Sequence, residues 1–242
     1  MLIIGMTCYN AEKYIAEAIC SVQLQEEQSW KCFIMNDCST DNSIDVAKQQ
    51  IGDDERFVII NNKEKLWQTG NYHFICHHKE VNDNDIFVEL DGDDYFADAN
   101  VLTRVNEYYK EPNVWITFGS FKYADGKMGF ARPPEGGFQQ QRISHAFVTS
   151  HLRTWRVKLF RHLIMVDICE NDGKTFIPVS GDLYFFQCML EMAQHGHWKF
   201  ITDINYIYRE NNLSEHKVDM SKVTHYTNKA KTRPPKEGLE KL

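Results

Sequence analysis

Asp91, Gly92, Asp93 and Asp94 follow directly on the apolar run Ile86, Phe87, Val88 and Leu90, so three carboxylates stand where a buried strand ends. Gly92 lets the backbone turn among them. Two carboxylates about 5 Å apart repel by about 3 kcal/mol at an effective dielectric of about 20, and a divalent cation would offset that repulsion. The same residues suit a solvated turn, because Asp and Gly are the commonest turn formers. On these residues alone both readings are open. Asn10, Asp37, the Gly181-Asp182 pair and the cations of the run HLRTWR, residues 151–156, are the other groups with chemistry available to them.

Such groups need rigid elements to bring them together. Residues 2–6 read as a short buried strand, and residues 11–24 carry helical spacing at Ile15, Ala18, Ile19 and Val22. A second strand at 30–35 leads into the polar loop NDCSTDNS, residues 36–43, where Asp41 or Ser39 can cap a helix over 44–50. A strand at 56–60 and a helix at 69–79 follow, ahead of the strand at 86–90. This alternation predicts a mainly parallel layered sheet, in which ligands gather at the carboxyl ends of the strands. Asn10, Asp37 and Asp91 all fall at such ends.

The second half is less regular. The pattern predicts a helix at 99–109, a strand at 114–123, and a loop at 125–138 that is a candidate lid. Residues 144–163 read as helical or turn-like. A helix through Leu183, Phe186, Leu190 and Ala193 follows Asp182, then a strand at 198–208. Residues 222–242 read as a polar, Lys-rich, solvated tail.

The 242 residues, 43% hydrophobic, suffice for one domain with a full core. A net charge of −7 argues against holding nucleic acid by bulk electrostatics. Seven cysteines without a CxxC pair or a leader peptide suggest reduced thiols and a cytoplasmic protein, and no apolar run is long enough for a membrane span, so membrane contact would be peripheral. There is no Gly-rich phosphate loop ending in Lys-Ser or Lys-Thr and no GxGxxG after the first strand. His73 and His77 lack the Glu of a zinc protease, and residues 91–94 do not continue as a calcium loop.

Thr7-Cys8-Tyr9-Asn10 with the helix after it, NDCSTDNS, LDGDD and Gly181-Asp182 stand in an order and spacing that resembles the family-2 glycosyltransferases, over roughly the first 210 residues. The resemblance implies the α/β fold known as GT-A: a Rossmann-like nucleotide-binding half with a mainly parallel sheet (1–98), a smaller acceptor-side half (99–221), and the tail beyond. It implies an inverting enzyme that uses a nucleotide sugar. Asp37 would bind the donor's base, Asp91 its ribose, and Asp93 a manganese or magnesium ion on the diphosphate, with His216 as a further metal ligand. The nucleotide-sugar set is Thr7, Tyr9, Asn10, Asp37, Lys65, Asp91, Gly92 and Arg153. Asp182 would take the proton from the acceptor hydroxyl.

Each role has a plainer counterpart. Asp182 also suits a helix N-terminus, His216 an exposed loop, Lys65 a solvated one, and Arg153 the polar face of a surface helix. Two departures from the family pattern stand out: Gly181 occupies a place often held by Glu, and in NKEKLWQTGN, residues 62–71, Asn71 alone matches convincingly. The expectation is transfer of one sugar, with uridine as the favoured base, to a hydroxyl of a glycan, lipid carrier, protein or modified nucleobase. A noncatalytic nucleotide or glycan binder and a sugar-1-phosphate nucleotidyltransferase are the competing readings.

Overall fold

The computed structural model describes residues 1–144, 147–210 and 219–242. Its first strand, β1 (Leu2–Cys8), is apolar on both sides because both faces of the sheet are covered. Leu2, Ile4, Met6 and Cys8 enter one core, which also takes Ile15, Ala18, Ile19 and Val22 of α1 (Ile15–Gln23). Ile3 enters the other core. Gly5 faces that same side, where an added Cβ would lie 2.1 Å from the Phe87 ring, so its bareness is what admits the ring. The rest of the first half runs β2 (Trp30–Asn36), α2 (Ser43–Ile51), β3 (Phe57–Asn61), α3 (Trp67–Cys76) and β4 (Ile86–Asp91).

The second half contributes β5 (Tyr95–Phe96), α4 (Val101–Tyr108), β6 (Ile116–Tyr123), α5 (Gly137–Ser144), β7 (Thr154–Arg156), α6 (Val157–Arg161) and α7 (Met165–Ile168). A single 3-10 turn (Gly181–Leu183), α8 (Phe185–Met192), β8 (Trp198–Tyr208) and α9 (Met220–Thr232) complete it. Among the described residues, all eight strands join one sheet in the order β3-β2-β1-β4-β7-β6-β8-β5. The pairs β1–β2, β1–β4, β2–β3 and β6–β8 are parallel, while β7 is antiparallel to β4 and β6, and β5 to β8. This is the mixed α/β, mainly parallel arrangement that the alternation of elements predicts.

The structure corrects two expectations. Residues 144–163 are not simply helical or turn-like, because Thr154, Trp155 and Arg156 form the strand that joins the two halves of the sheet. Three residues are too few to carry a period, and what holds them there is burial: Trp155 is fully buried, with its ring stacked 4.4 Å from Phe87. The C-terminal residues are not a solvated tail either, and a boundary after residue 221 would cut α9. Asp219 caps that helix by accepting from the backbone N–H of Ser221 and Lys222, Ala230 is buried on its inner face, and Arg233 donates to the Cys169 carbonyl at 2.7 Å. Leu239 and Leu242 pack against the second core. So few apolar residues are invisible in a Lys-rich run, yet they suffice once main-chain carbonyls at the end of α7 are there to be satisfied. No helix among the described residues is long and apolar enough to cross a membrane.

Candidate active site

The ends of β1, β2 and β4 open onto a cavity of about 580 Å³. Register places Thr7 opposite Asp91, and the Thr7 hydroxyl donates to Asp91 Oδ1 at 2.9 Å. Between them the chain passes so close that a Cβ on Gly92 would lie 2.8 Å from the Thr7 carbonyl oxygen, which itself accepts from the Gly92 N–H. Burial and the neighbouring Asp93 push the Asp91 carboxyl up to about 6. Asp94 turns inward instead: its carboxyl, pushed up to about 9 by burial and then by Asp93 and Asp91, accepts from the Tyr206 hydroxyl at 2.8 Å and from the Arg209 N–H at 2.6 Å. It ties the end of β4 to the end of β8, and is neither a cap nor exposed.

A second group of residues forms the wall of the cavity through main-chain bonds. The Asn10 N–H donates to Ser39 Oγ, and Asn10 Oδ1 accepts from the Thr40 N–H at 2.8 Å. The Ala11 and Glu12 N–H groups donate to Ser43 Oγ and Asp41 Oδ2, so the loop after β1 and the loop after β2 are laced together. Asp37 is buried, and its carboxylate accepts from Asn62 Nδ2, the Leu66 N–H and the Trp67 N–H at 2.8, 2.8 and 3.0 Å. It therefore fastens the start of α3, where a negative charge is favoured. Lys65 Nζ lies 3.0 Å from the centre of the Tyr9 ring and 4.8 Å from that of Trp67. Contact with two aromatic faces holds this half-buried amine in place.

Backbone strain gathers here. The non-glycine residues with left-handed backbone among those described are Asn10, Cys38, Trp67 and Ser180, with φ of 49°, 65°, 58° and 56°. Each costs about 1–2 kcal/mol against right-handed backbone, so the surrounding bonds must impose it. Asn10 and Trp67 line the cavity, Cys38 follows Asp37, and Ser180 stands two residues before Asp182.

Thr7, Tyr9, Asn10, Asp37, Lys65, Asp91 and Asp93 all line the large cavity, with Gly92 directly beneath. Arg153 does not line it. Its guanidinium is buried between Glu89 and Asp182, donating to Glu89 Oε1 and Asp182 Oδ2 at 3.0 Å each. Asp182 opens onto a neighbouring cavity of about 270 Å³, and its Oδ1 also accepts from the Leu183 N–H. His216 lies outside the described residues.

The sequence reading missed Glu89 and Gln68, and took His151 only as part of the basic run 151–156 and not as a partner of Glu89 and Asp91. Glu89 is fully buried, burial pushes its carboxyl up to about 8 against the opposing pull of Arg153, and Gln68 Nε2 donates to it at 3.1 Å. A lone acid inside an apolar strand was the available signal. His151 is buried with its ring stacked 4.4 Å from Tyr206, and burial holds it well below the usual imidazole range. Glu89, Asp91 and His151 each offer a ligand atom within 4.8 Å of the others, and among the described residues both Glu89 Oε2 and His151 Nδ1 are buried without a hydrogen-bond partner. Carboxylate oxygens with one imidazole form a donor set that fits a manganese or magnesium ion; Asp93, the sequence-predicted ligand, lines the cavity but is not one of these three.

A family model described as glycosyl transferase family 2 matches residues 3–165. None of the curated proteins matches the chain. Among solved structures, S. aureus TarS 1–349 superposes with a TM-score of 0.65 at 16% identity, over 86% of this chain and 60% of that one. Mannosyltransferase PcManGT from Pyrobaculum calidifontis, in complex with GDP-Man and Mn²⁺, gives 0.62 at 11% identity, over 97% and 65%. Glucosyl-3-phosphoglycerate synthase from Mycobacterium tuberculosis, in complex with Mn²⁺, UDP and phosphoglyceric acid, gives 0.63 at 11% identity, over 97% and 79%. The chain is thus similar in fold to GT-A glycosyltransferases, and it spans 60% of the length of the TarS structure.

Proposed function

The chain belongs to glycosyl transferase family 2, and from that premise we propose that it is an inverting, metal-dependent glycosyltransferase. It moves a single sugar from a nucleotide diphosphate sugar, with uridine as the favoured base, to an acceptor hydroxyl. The observation that carries this reading is the cavity of about 580 Å³ at the carboxyl ends of β1, β2 and β4, lined by the carboxylates Asp91 and Asp93 and by the cluster of Tyr9, Lys65 and Trp67. Its size and mixed lining suit a nucleotide, whose base takes the aromatic faces and whose ribose and diphosphate take the polar end. The structural relatives crystallised with UDP and Mn²⁺ or with GDP-Man and Mn²⁺ support the same ligand class.

Each residue has a task that its surroundings allow. Tyr9 and Trp67 flank the base, with Lys65 held between them to meet base or phosphate. Asp37 acts on the base indirectly, since its carboxylate is occupied in shaping the 61–67 loop. Asp91, oriented by Thr7, faces the ribose. Asp93 and Asp91 would hold the ion, with Glu89 and His151 as further donors and His216 as an additional candidate ligand. A bound Mn²⁺ or Mg²⁺ supplies positive charge that stabilises the departing diphosphate. Asp182 accepts the proton of the acceptor hydroxyl as its oxygen attacks the anomeric carbon from the face opposite the diphosphate. Arg153 fixes the orientation of that carboxylate from behind.

Thermal-shift measurements with a panel of nucleotide sugars, with and without Mn²⁺, test the reading. The expected result is stabilisation by a uridine diphosphate sugar that requires the metal and is lost in Asp93→Ala. Binding without Mn²⁺-dependent transfer or slow donor hydrolysis would turn the reading toward a noncatalytic binder. No shift with any nucleotide sugar would overturn it.

A further inference from the structure

The smaller cavity, of about 270 Å³, lies where α5, the 3-10 turn before α8, and α9 converge. Most of the polar groups in its wall that carry charge or an amide are already engaged. Arg142 gives Nε and Nη2 to Glu191 at 2.6 and 2.8 Å and Nη1 to the Ala230 carbonyl at 2.9 Å. Gln141 donates to Thr149 and Gln187, and Gln187 donates to the Phe138 carbonyl and Glu191. Phe147 and Leu183 add apolar surface.

Lys231 is the exception. Among the described residues its Nζ is buried without a hydrogen-bond partner, although the residue as a whole is only half-buried, and lost solvation draws its pKa down from the ordinary lysine value. The comparison on the same helix is direct, since Lys229 forms an ion pair with Glu170. A helix end favours a cation, but only by a fraction of a kcal/mol where the amine stays in water. Withdrawing an ammonium from water with nothing to pair it costs more than that, so a ligand that brought an opposite charge would be favoured here. The helix is held in register for this on the far side of Lys231 as well, by Arg233 on the Cys169 carbonyl and by the Lys236 N–H on Glu191.

We propose that this cavity is the acceptor subsite, and that Lys231 pairs there with an anionic oxygen group, a phosphate or a carboxylate, on the acceptor whose hydroxyl faces Asp182. The inference rests on the transferase reading for the meaning of "acceptor", but the anion site itself does not depend on it. Asp182 and Lys231 line one small space, so a single small acceptor would meet both. A charge-assisted bond in this partly enclosed wall is stronger than the same bond in water.

The test is ligand-observed NMR on the full chain, with glycerol 3-phosphate, glycerate and glycerol as probes. Wild type is expected to bind one or both anionic probes and not glycerol, the better of the two telling phosphate from carboxylate. Lys231→Met is expected to weaken that binding by about 10-fold or more, as loss of a bond to a charged group does, while Lys231→Arg largely restores it. Equal binding of glycerol and the anions by wild type would overturn the proposal without any variant. So would undiminished anion binding in a folded Lys231→Met protein. UDP binding with Mn²⁺ is measured on the same wild-type sample. Anion binding that depends on Lys231 without UDP binding would sink the donor reading and leave this site standing, and the reverse pattern would sink this site alone.

Discussion

The two cavities are built in opposite ways. Around the larger one, side chains bond mainly to the backbone of neighbouring loops: Asn10 to Thr40, Ser43 to Ala11, Asp41 to Glu12, Asp37 to Leu66 and Trp67. Around the smaller one, charged side chains bond to each other in the interior, with Arg142 on Glu191 and Arg153 on Glu89 and Asp182. The first construction fixes loop shape and leaves side chains such as Lys65 and Asp93 on the cavity wall. The second fixes the direction of individual charges, at the cost of desolvating them. On the proposed function, the first construction suits a site that accepts a large ligand and the second a site that aims one carboxylate.

The largest effect expected from this contrast is catalytic. Asp182→Asn should lower transfer by about 10²- to 10⁴-fold, the range for a positioned general base, while Mn²⁺-dependent nucleotide binding in the other cavity stays unchanged. Transfer at the wild-type rate would remove Asp182 from the chemistry and with it the division of labour between the cavities. Next comes stability. In the Arg142–Glu191 pair the side chains are 3% and 0% exposed, so Arg142→Met strands a buried carboxylate and should cost about 3–5 kcal/mol in urea unfolding. Removing Glu191 as well, with Leu, should return much of that loss. The Arg56–Asp54 pair, at 31% and 18% exposure, is the control, and Arg56→Met should cost about 1 kcal/mol or less. Equal costs at the two pairs would erase the distinction drawn between the constructions.

The same contrast decides what the sequence revealed. Thr7, Asn10, Asp37 and Asp91 stand at strand ends, and the period and length of the apolar runs located those ends to within a residue or two. The interior network was hidden because its members are distant in the chain: Arg142 meets Glu191, and Arg153 meets Glu89, across 49 and 64 positions. Arg153 looked like a cation for ligand phosphate because a sequence shows a residue's charge and not its partner. β7 was too short for any period, and α9 had too few apolar residues to announce an inner face. Glu89 alone left a trace, as an acid inside an apolar strand.

Asp37 tests whether loop shape or direct contact governs the larger cavity. In Asp37→Asn one acceptor oxygen becomes an amide donor facing a backbone N–H, with an expected cost of about 1–3 kcal/mol in stability. Nucleotide affinity should fall with it, because the 61–67 loop carries Lys65 and Trp67. If affinity fell while the folding midpoint stayed put, the carboxylate would be touching the base itself.

The smallest effect belongs to His73, on the outer part of α3. Burial, and then the neighbouring His77 with its ring 4.2 Å away, holds His73 down at about 4, against an ordinary value of 6.5. The folded chain therefore resists a proton that the unfolded chain accepts. Stability from this residue is present above pH 6.5 and is lost as pH falls toward 4, since the unfolded state then binds the extra proton. The loss should be about 1 kcal/mol near pH 5 after allowance for the half-exposed ring. His73→Gln, compared with wild type by thermal unfolding at pH 7 and pH 5, should flatten the dependence by that amount. A pH slope identical in the two proteins would mean that the strain around α3 is confined to its start at Asp37 and Trp67, and that the outer face of the helix is free to take the charge.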